Sequence, residues 1–329
     1  MLTTNRTLIL LGGSGFIGKA VIRRAVAAGW NVRVLVRSDD AAKTVSALGG
    51  SPFTGDAERP DTWIGEVRGA RAIVDLIQPK LPKRLGRRAV LGIASKRQEF
   101  TKLLLAALGT LTPDERPLFI SVSGIDDLSP DGDGNISGAS SIRSQDYGFN
   151  PIGIPVRRLI EQSGVGAAFV YFSTVYGPGK AFAETIFPSI AKGTWKNFGR
   201  PSDRIALIHV EDAARGLVHI AGLEPSAIAG RSFVLSDGCA LETNAFFDAA
   251  AAQIGVSRPG RVPQWLASIV AGPAAVETIT CNAPVTFAPS NFPDDRLEFP
   301  SYREGLTATL ATLGYVTNIR KAHFNELLR

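Results

Sequence analysis

Cysteine is scarce. The 329 residues hold only Cys239 and Cys281, far apart, with no CxxC pair and no histidine at metal-ligand spacing. That argues against a disulfide framework and against a zinc site, so no metal is expected and a reducing, cytoplasmic setting fits. Long apolar runs are also missing: nothing approaches the roughly 18 residues of a membrane-crossing helix, so no membrane span is expected. Met1 to Arg6 lead straight into Leu8 to Leu11, which is too short for the apolar region of a secretory signal. Aromatic residues are scarce where nucleic-acid recognition would want them. Residues 80 to 102 carry Lys80, Lys83, Arg84, Arg87, Arg88, Lys96, Arg97 and Lys102 against Glu99, yet Phe100 is the only aromatic there. No nucleic-acid partner is expected. The net charge of +6 resides in this segment, and the rest of the chain is nearly balanced. Positions 83, 84, 87 and 88 would share one side of a helix, either as a solvated face or as a surface for a phosphate-bearing ligand or acidic partner. Asp131, Asp133 and Asn135 open like a calcium loop, but Ile136 replaces the required glycine and Ile142 the closing glutamate, which excludes calcium.

What is present is a regular alternation. Strand-like apolar runs recur at Leu8 to Leu11, Val32 to Val36, Ala72 to Ile77, Leu118 to Val122 and Ala167 to Phe172. Between them lie helical patterns at Phe16 to Ala28, Asp40 to Leu48, Arg87 to Leu108 and Pro151 to Gln162. With 45% apolar residues to build a core, the economical architecture is an α/β fold. It is a Rossmann-type, doubly wound parallel sheet over 1–178, with later segments returning to it, and a smaller mixed α/β substrate lobe over 179–329. Residues 126 to 147 turn polar and small, which predicts a long mobile loop.

The first strand runs directly into Gly12, Gly13, Ser14, Gly15, Phe16, Ile17 and Gly18 and then a helix. A glycine turn in that context suits a dinucleotide. Gly12 permits the tight turn, Gly15 lets the backbone approach a pyrophosphate, Gly18 allows helix to pack on strand, and the helix N-terminus offers N–H groups to the anion. Nineteen residues past Gly18, where an NAD site carries an acid for the ribose hydroxyls, stands Arg37 followed by Ser38. A guanidinium there suits a 2′-phosphate, so NADP(H) is favoured over NAD(H); the alternative is an exposed arginine with Asp39 or Asp40 meeting the ribose. Asp56 and Ala57, following Gly55, are expected beside the adenine, although an aspartate after glycine is also an ordinary turn residue. Ile77 and Gln78 after the fourth strand, and Ser123 after the fifth, complete the expected cofactor contacts.

Four motifs in order, Gly12 to Gly18, Gly55-Asp56, Val175-Tyr176-Gly177-Pro178-Gly179 and His209-Val210-Glu211-Asp212-Ala213-Ala214, resemble an extended short-chain dehydrogenase/reductase of the NAD-dependent epimerase/dehydratase family and its atypical relatives. The segment Phe299 to Leu306 resembles the closing helix of such proteins. The resemblance implies hydride transfer at a nicotinamide, a serine (Ser123 by position) orienting the substrate oxygen, and a tyrosine passing the proton with a lysine lowering its pKa. The family's proline-tyrosine-three-residues-lysine stretch aligns here with Pro151 to Val156, which puts Ile152 and Val156 in the catalytic pair's places. Ile152, Val156, Leu159 and Ile160 instead form an apolar helical stripe. Nor does any asparagine lie between Pro79 and Pro117 to organise a water.

Tyr147 with Ser123 is the best replacement pair on topology; Tyr176 and Lys180 are the others. His209 reads as structural, while His219 and His323 show no site signal. Epimerases of the family typically carry an arginine four residues before the motif histidine, where this chain has Ile205 beside Arg204, so a nucleotide sugar is not favoured. The segment Pro263 to Val270 reads as ordinary helix packing or the lining of a hydrophobic substrate pocket. Two readings follow. One is an oxidoreductase or epimerase/dehydratase acting on a carbonyl or alcohol of a small molecule, possible as a homodimer. The other is a noncatalytic NADP(H)-sensing binding protein.

Overall fold

Leu8, Ile9, Leu10 and Leu11 have no exposed surface, as a parallel strand covered on both faces requires. In the computed structural model, which describes residues 6–316 apart from Lys80, Lys83, Ala240 and Asn282, this segment is β1 (Thr7–Leu11) near the middle of a seven-stranded sheet. The other members are β2 (Asn31–Val36), β3 (Ser51–Thr54), β4 (Ala72–Asp75), β5 (Leu118–Gly124), β6 (Ala167–Phe172) and a late strand, Ser232–Leu235. All neighbours pair in parallel. Short pieces lie outside this sheet: β7 (Thr174–Tyr176) pairs with β9 (Leu207–His209), and β8 (Arg204–Ile205) with β11 (Leu241–Glu242). The late strand is therefore β10, and the sheet order is β10-β6-β5-β4-β1-β2-β3. The order reverses between β1 and β4, so the crevice beyond their C-terminal ends is where a ligand belongs in such a sheet.

Helices α1 (Phe16–Ala27), α2 (Asp39–Ala47), α3 (Arg87–Gly109) and α4 (Asn150–Gln162) fall where the periodicity predicts. Beyond them come α5 (Phe187–Ala191), α6 (Val210–Gly222), α7 (Pro225–Ile228), α8 (Thr243–Ile254), α9 (Gln264–Ala271), α10 (Pro273–Ile279) and α11 (Tyr302–Thr312). Helices α1 and α6 cover one face through Ala20, Val21, Ile22, Ala213, Leu217 and Ile220. Helices α3 and α4 cover the other through Phe100, Leu104, Leu108, Val156 and Ile160. Each large side chain among these contributes about 1.5–3 kcal/mol on leaving water. A third core around Phe182, Phe187, Phe246, Phe247 and Leu306 builds the lobe of α5, α8 and α11.

Two expectations are corrected. The 126–147 segment is tied down rather than loose. Leu128 and Ile136 are fully buried, the Ile136 N–H donates to the Pro284 carbonyl at 2.9 Å, and Thr286 N–H donates back to Ile136 at 2.9 Å. The basic segment is not one helical face either. Helix α3 begins only at Arg87, and Arg84 lies before it with its Nε on the Ile269 carbonyl at 2.7 Å. Arg97 is buried. Lys80, Lys83 and His323 lie outside the described residues.

Candidate functional site

The turn after β1 is shaped by close approach. Gly12 sits at φ +77°, and a Cβ there would stand 2.8 Å from the carbonyl carbon and oxygen of Leu76 at the exit of β4; a side chain is excluded on both counts. At Gly18 a Cβ would stand 2.5 Å from Gly13 Cα, so the first turn of α1 lies directly on the glycine turn. Gly15 is the N-cap and gives no side-chain cap, which leaves the first-turn N–H groups aimed outward for an anion. Gly13, Ser14, Phe16 and Ile17 complete this cradle. The Phe16 ring also packs on the later glycine motif, since side chains at Gly177 or Gly179 would strike it. This geometry fits a pyrophosphate carried on backbone alone.

At the end of β2, Arg37 and Ser38 are exposed. The Ser38 hydroxyl accepts from Ala41 N–H at 3.3 Å as the N-cap of α2, and its own O–H remains available to donate. Asp56 is held as a turn residue, its Oδ1 accepting from Glu58 N–H at 3.0 Å and its carbonyl from Trp63 Nε1 at 2.7 Å. Ala57 packs beside the same core. Gly55 is explained by packing, because a Cβ would meet the Trp63 ring and Leu35.

The exit of β4 is set by an ion pair that the sequence pattern does not reveal. Asp75, the last residue of β4, accepts from Ile77 N–H at 3.0 Å through Oδ1 and from Arg97 Nη2 at 2.6 Å through Oδ2, with both charged side chains buried. Gln78 then accepts from Lys180 Nζ at 2.8 Å, joining this exit to the Gly177–Gly179 loop. Burial lowers the Lys180 pKa.

Ser123, the last residue but one of β5, stands beside a small cavity of about 40 Å³ lined by Arg97, Asp127, Ile152, Gly153, Val156, Arg157 and Tyr171, among others. Asp127 is the buried partner of Ser123 here. Its pKa is pushed well above the usual carboxylate range, first by burial and further by Asp126; the hydrogen bond from Ser123 and the charge of Arg157 oppose the rise. Asp127 Oδ2 and Arg97 Nη1 are both buried without a hydrogen-bond partner among the described residues. Ser123 itself is only half-buried, so it stands between the open end of the sheet and a buried carboxyl whose pKa is raised. The aligned positions Ile152 and Val156 wall this cavity with carbon, and Gly153 between them leaves room for Asp127 and Ser123.

Tyr147 is placed elsewhere. Its hydroxyl donates to the Glu277 carbonyl at 2.7 Å, its ring lies under Arg143, and burial raises its pKa. It does not line the Ser123 cavity. The expected Tyr147–Ser123 pair is thus not assembled, because the 126–147 segment returns against α10. Tyr176 is buried with Phe182, His209 and Phe246. His209 caps α6 through Nδ1 and meets Thr309 Oγ1 at 3.2 Å through Nε2. Its pKa falls to about 4 because burial disfavours the cation, so it is a neutral structural residue. Arg204 Nη1 is engaged by the Pro201 carbonyl at 3.0 Å. Helix α9 buries none of its residues, contrary to the expected helix packing. In the sequence Asp126 and Asp127 show only as two acids just past the fifth strand, a pattern that an ordinary solvated turn also gives. Among the described residues, no cluster of three or more His, Cys, Asp or Glu side chains is arranged to hold a metal.

The sheet order and the glycine turn at the exit of β1 give the chain a Rossmann-type α/β fold. A family model described as NAD(P)H-binding matches residues 12–137. A nucleoside-diphosphate-sugar epimerase from Pseudomonas aeruginosa superposes with a TM-score of 0.74 at 14% identity, covering 94% of this chain and 99% of that one. A human epimerase family protein solved with NADPH superposes with a TM-score of 0.69 at 17% identity, covering 93% and 99%. At these identities the likeness is one of fold. Among curated proteins, 4-hydroxy-2-methyl-3-oxo-4-farnesyl-3,4-dihydroquinoline-1-oxide ketoreductase from Stigmatella aurantiaca is 47% identical over 51 residues, which is 16% of this chain and 15% of that protein.

Proposed function

We propose that the protein is an NADP(H)-dependent oxidoreductase acting on a carbonyl or alcohol carbon of a small molecule, with Ser123 orienting the substrate oxygen and Asp127 holding the proton. The observation that carries this reading is the juxtaposition of a half-buried Ser123 with a buried Asp127, whose pKa burial raises, at the crevice end of β5. The glycine cradle holds the pyrophosphate, Arg37 and the Ser38 O–H meet a 2′-phosphate, and Asp56, Ala57, Ile77 and Gln78 flank the adenosine end and the β4 exit. A bound nicotinamide would supply the hydride.

In reduction, Ser123 Oγ–H donates to the substrate carbonyl and passes its proton to the oxygen as charge develops there. Asp127 replaces that proton through their hydrogen bond. The carboxylate left behind is met by the charge of Arg157, and Arg97, whose Nη1 has no hydrogen-bond partner among the described residues, lines the same cavity. Asp127 thereby stands in for a phenol, and the upward shift of its pKa makes the carboxyl a better proton donor than an exposed one. Reduction should slow as pH rises through that elevated pKa, and oxidation should quicken.

The test combines NADPH and NADH titration by cofactor fluorescence with a carbonyl-substrate screen. Tighter NADPH binding that Arg37→Ala abolishes supports the cofactor assignment. Turnover that falls by about 10²–10⁴ in Asp127→Asn, with NADPH affinity kept, supports the proton assignment. Binding without turnover on any carbonyl would leave the noncatalytic sensor as the better reading.

A further inference from the structure

Helix α9 is inverted. Its large apolar side chains, Trp265, Leu266, Ile269 and Val270, are 64%, 37%, 55% and 71% exposed, while the small Ala267, Ser268 and Ala271 include the half-buried ones. The outward residues fall at i, i+1, i+4 and i+5 and so share one side of the helix. A helix that covered a core or lined a pocket would point this set inward. Four of the seven large exposed apolar residues among those described lie on α9, and Leu81, next to the segment that holds it, is a fifth.

The surround is cationic. Arg84 Nε meets the Ile269 carbonyl at 2.7 Å and Leu85 N–H the Ala271 carbonyl at 2.8 Å, which fixes the basic segment against the C-terminal end of α9. Gly272, at φ +94°, lies too close to the Leu85 backbone for any side chain, so the junction is rigid. Arg87 and Arg88 follow on the same stretch and are exposed. Arg258 and Arg261 precede the helix, and no acid occurs from 249 to 276. The nearby acids are Asp146, 3.8 Å from Arg87, Asp248, 2.6 Å from Arg258, and Glu277 on α10, whose Oε2 accepts from Gly148 N–H at 2.8 Å.

We infer that α9 docks the protein peripherally on an anionic lipid surface, with Trp265, Leu266, Ile269 and Val270 entering the headgroup boundary and Arg84, Arg87, Arg88 and Arg261 meeting lipid phosphates. The chemistry fits that occupant. Exposed apolar bulk with Arg84 held against the same helix and Arg87, Arg88 and Arg261 on the segments that adjoin it is the pattern of an interfacial helix. A second copy of this chain on the same face would bring the same arginines against one another. Docking of this kind needs no membrane-crossing helix, and no helix among the described residues is long and apolar enough to be one.

The test is co-sedimentation of the full chain with vesicles of phosphatidylcholine alone or with about 30% phosphatidylglycerol, at low and high salt. The expected result is binding to the anionic vesicles only, weakened at least roughly tenfold by about 0.5 M salt. A Trp265→Ser/Ile269→Gln/Val270→Gln variant is expected to lose at least roughly tenfold in partitioning, with its melting temperature and NADPH affinity unchanged. Arg84→Gln/Arg87→Gln/Arg88→Gln should lose binding while the helix stays apolar. Absence of binding to either vesicle, or full binding by the apolar triple variant, overturns the inference. So does light scattering that shows wild-type dimers which the triple variant breaks, because the face would then be covered by a second copy. None of these readings depends on turnover, so the outcome stands apart from the proposed reductase activity.

Discussion

Asp237 shows how far one buried acid departs from its sequence context. It follows β10 by two residues and is buried, and its Oδ1 accepts from Cys239 N–H at 2.9 Å while Oδ2 has no partner among the described residues. Burial raises its pKa to about 7; the Cys239 N–H opposes the rise and Asp212 adds to it. In the unfolded chain the same carboxyl ionises near an ordinary aspartate value of about 3.9. Between those values the folded state binds more protons than the unfolded one, so this group's contribution to stability declines as pH rises. A carboxamide in its place is isosteric with the protonated acid and has no charge to bury. Asp237→Asn is therefore expected to gain stability relative to wild type as pH moves from 5 to 7.5, by at most about 1.4 kcal/mol per pH unit, with the two proteins close together at about pH 4. Urea denaturation at several pH values checks this. A difference that is constant with pH would show that the acid is already ionised in the fold.

At the level of elements, periodicity locates β1, β2, β5, β6 and the first four helices because each is long, regular and covered by a single kind of surface. What it misjudges are residues whose role depends on a partner far away in sequence. Arg97 reads as one more solvated cation, yet it lies on the stripe of Val90, Ile93, Ala94, Phe100, Thr101, Leu104 and Leu108 that α3 buries. A charge on such a stripe needs a counter-charge, and Asp75 supplies it from β4. Asp127 and Gly153 belong to the same class: their meeting follows from the turn after β5, which no local pattern encodes. Gly153 and Gly92 separate local propensity from packing. Both interrupt helices, and propensity alone predicts a gain of about 0.5–1 kcal/mol on replacement by alanine. At Gly92 a Cβ meets nothing within 4 Å, so that gain should appear. At Gly153 the Cβ would fall on Asp127 Oδ2 and Ser123 Oγ, inside van der Waals contact. Gly153→Ala is expected to cost about 1–3 kcal/mol by overpacking, opposite in sign to Gly92→Ala, and paired denaturation curves decide it.

For the molecule as a whole, the weakest sequence signal lies in how the C-terminal segments return to the sheet. Helix α10 is a seven-residue element with no periodicity to betray it, yet it clasps the connection between β5 and α4. Thr278 Oγ1 donates to Asp126 Oδ2 at 2.6 Å, Glu277 Oε2 accepts from Gly148 N–H at 2.8 Å, and the Glu277 carbonyl accepts from Tyr147. Asp126 is almost fully buried, and its pKa is raised by that burial against the pull of Thr278 and Phe149 N–H. Removing the hydroxyl leaves the carboxyl oxygen with Phe149 N–H alone, at 3.1 Å, and a buried acceptor deprived of a partner costs about 1–3 kcal/mol. The loss would fall on the clasp, because the sheet beneath is held by its own ladder and by α3 and α4. Thr278→Val, which keeps the volume, should lower stability by that amount. It should also raise amide exchange in 126–149 and 273–286 while β1, β4 and β5 keep their protection. Exchange that rises uniformly would mean that the lobe and the sheet unfold as one unit, and the clasp would then carry no separate role in holding the segment that begins at Asp127 against the end of β5.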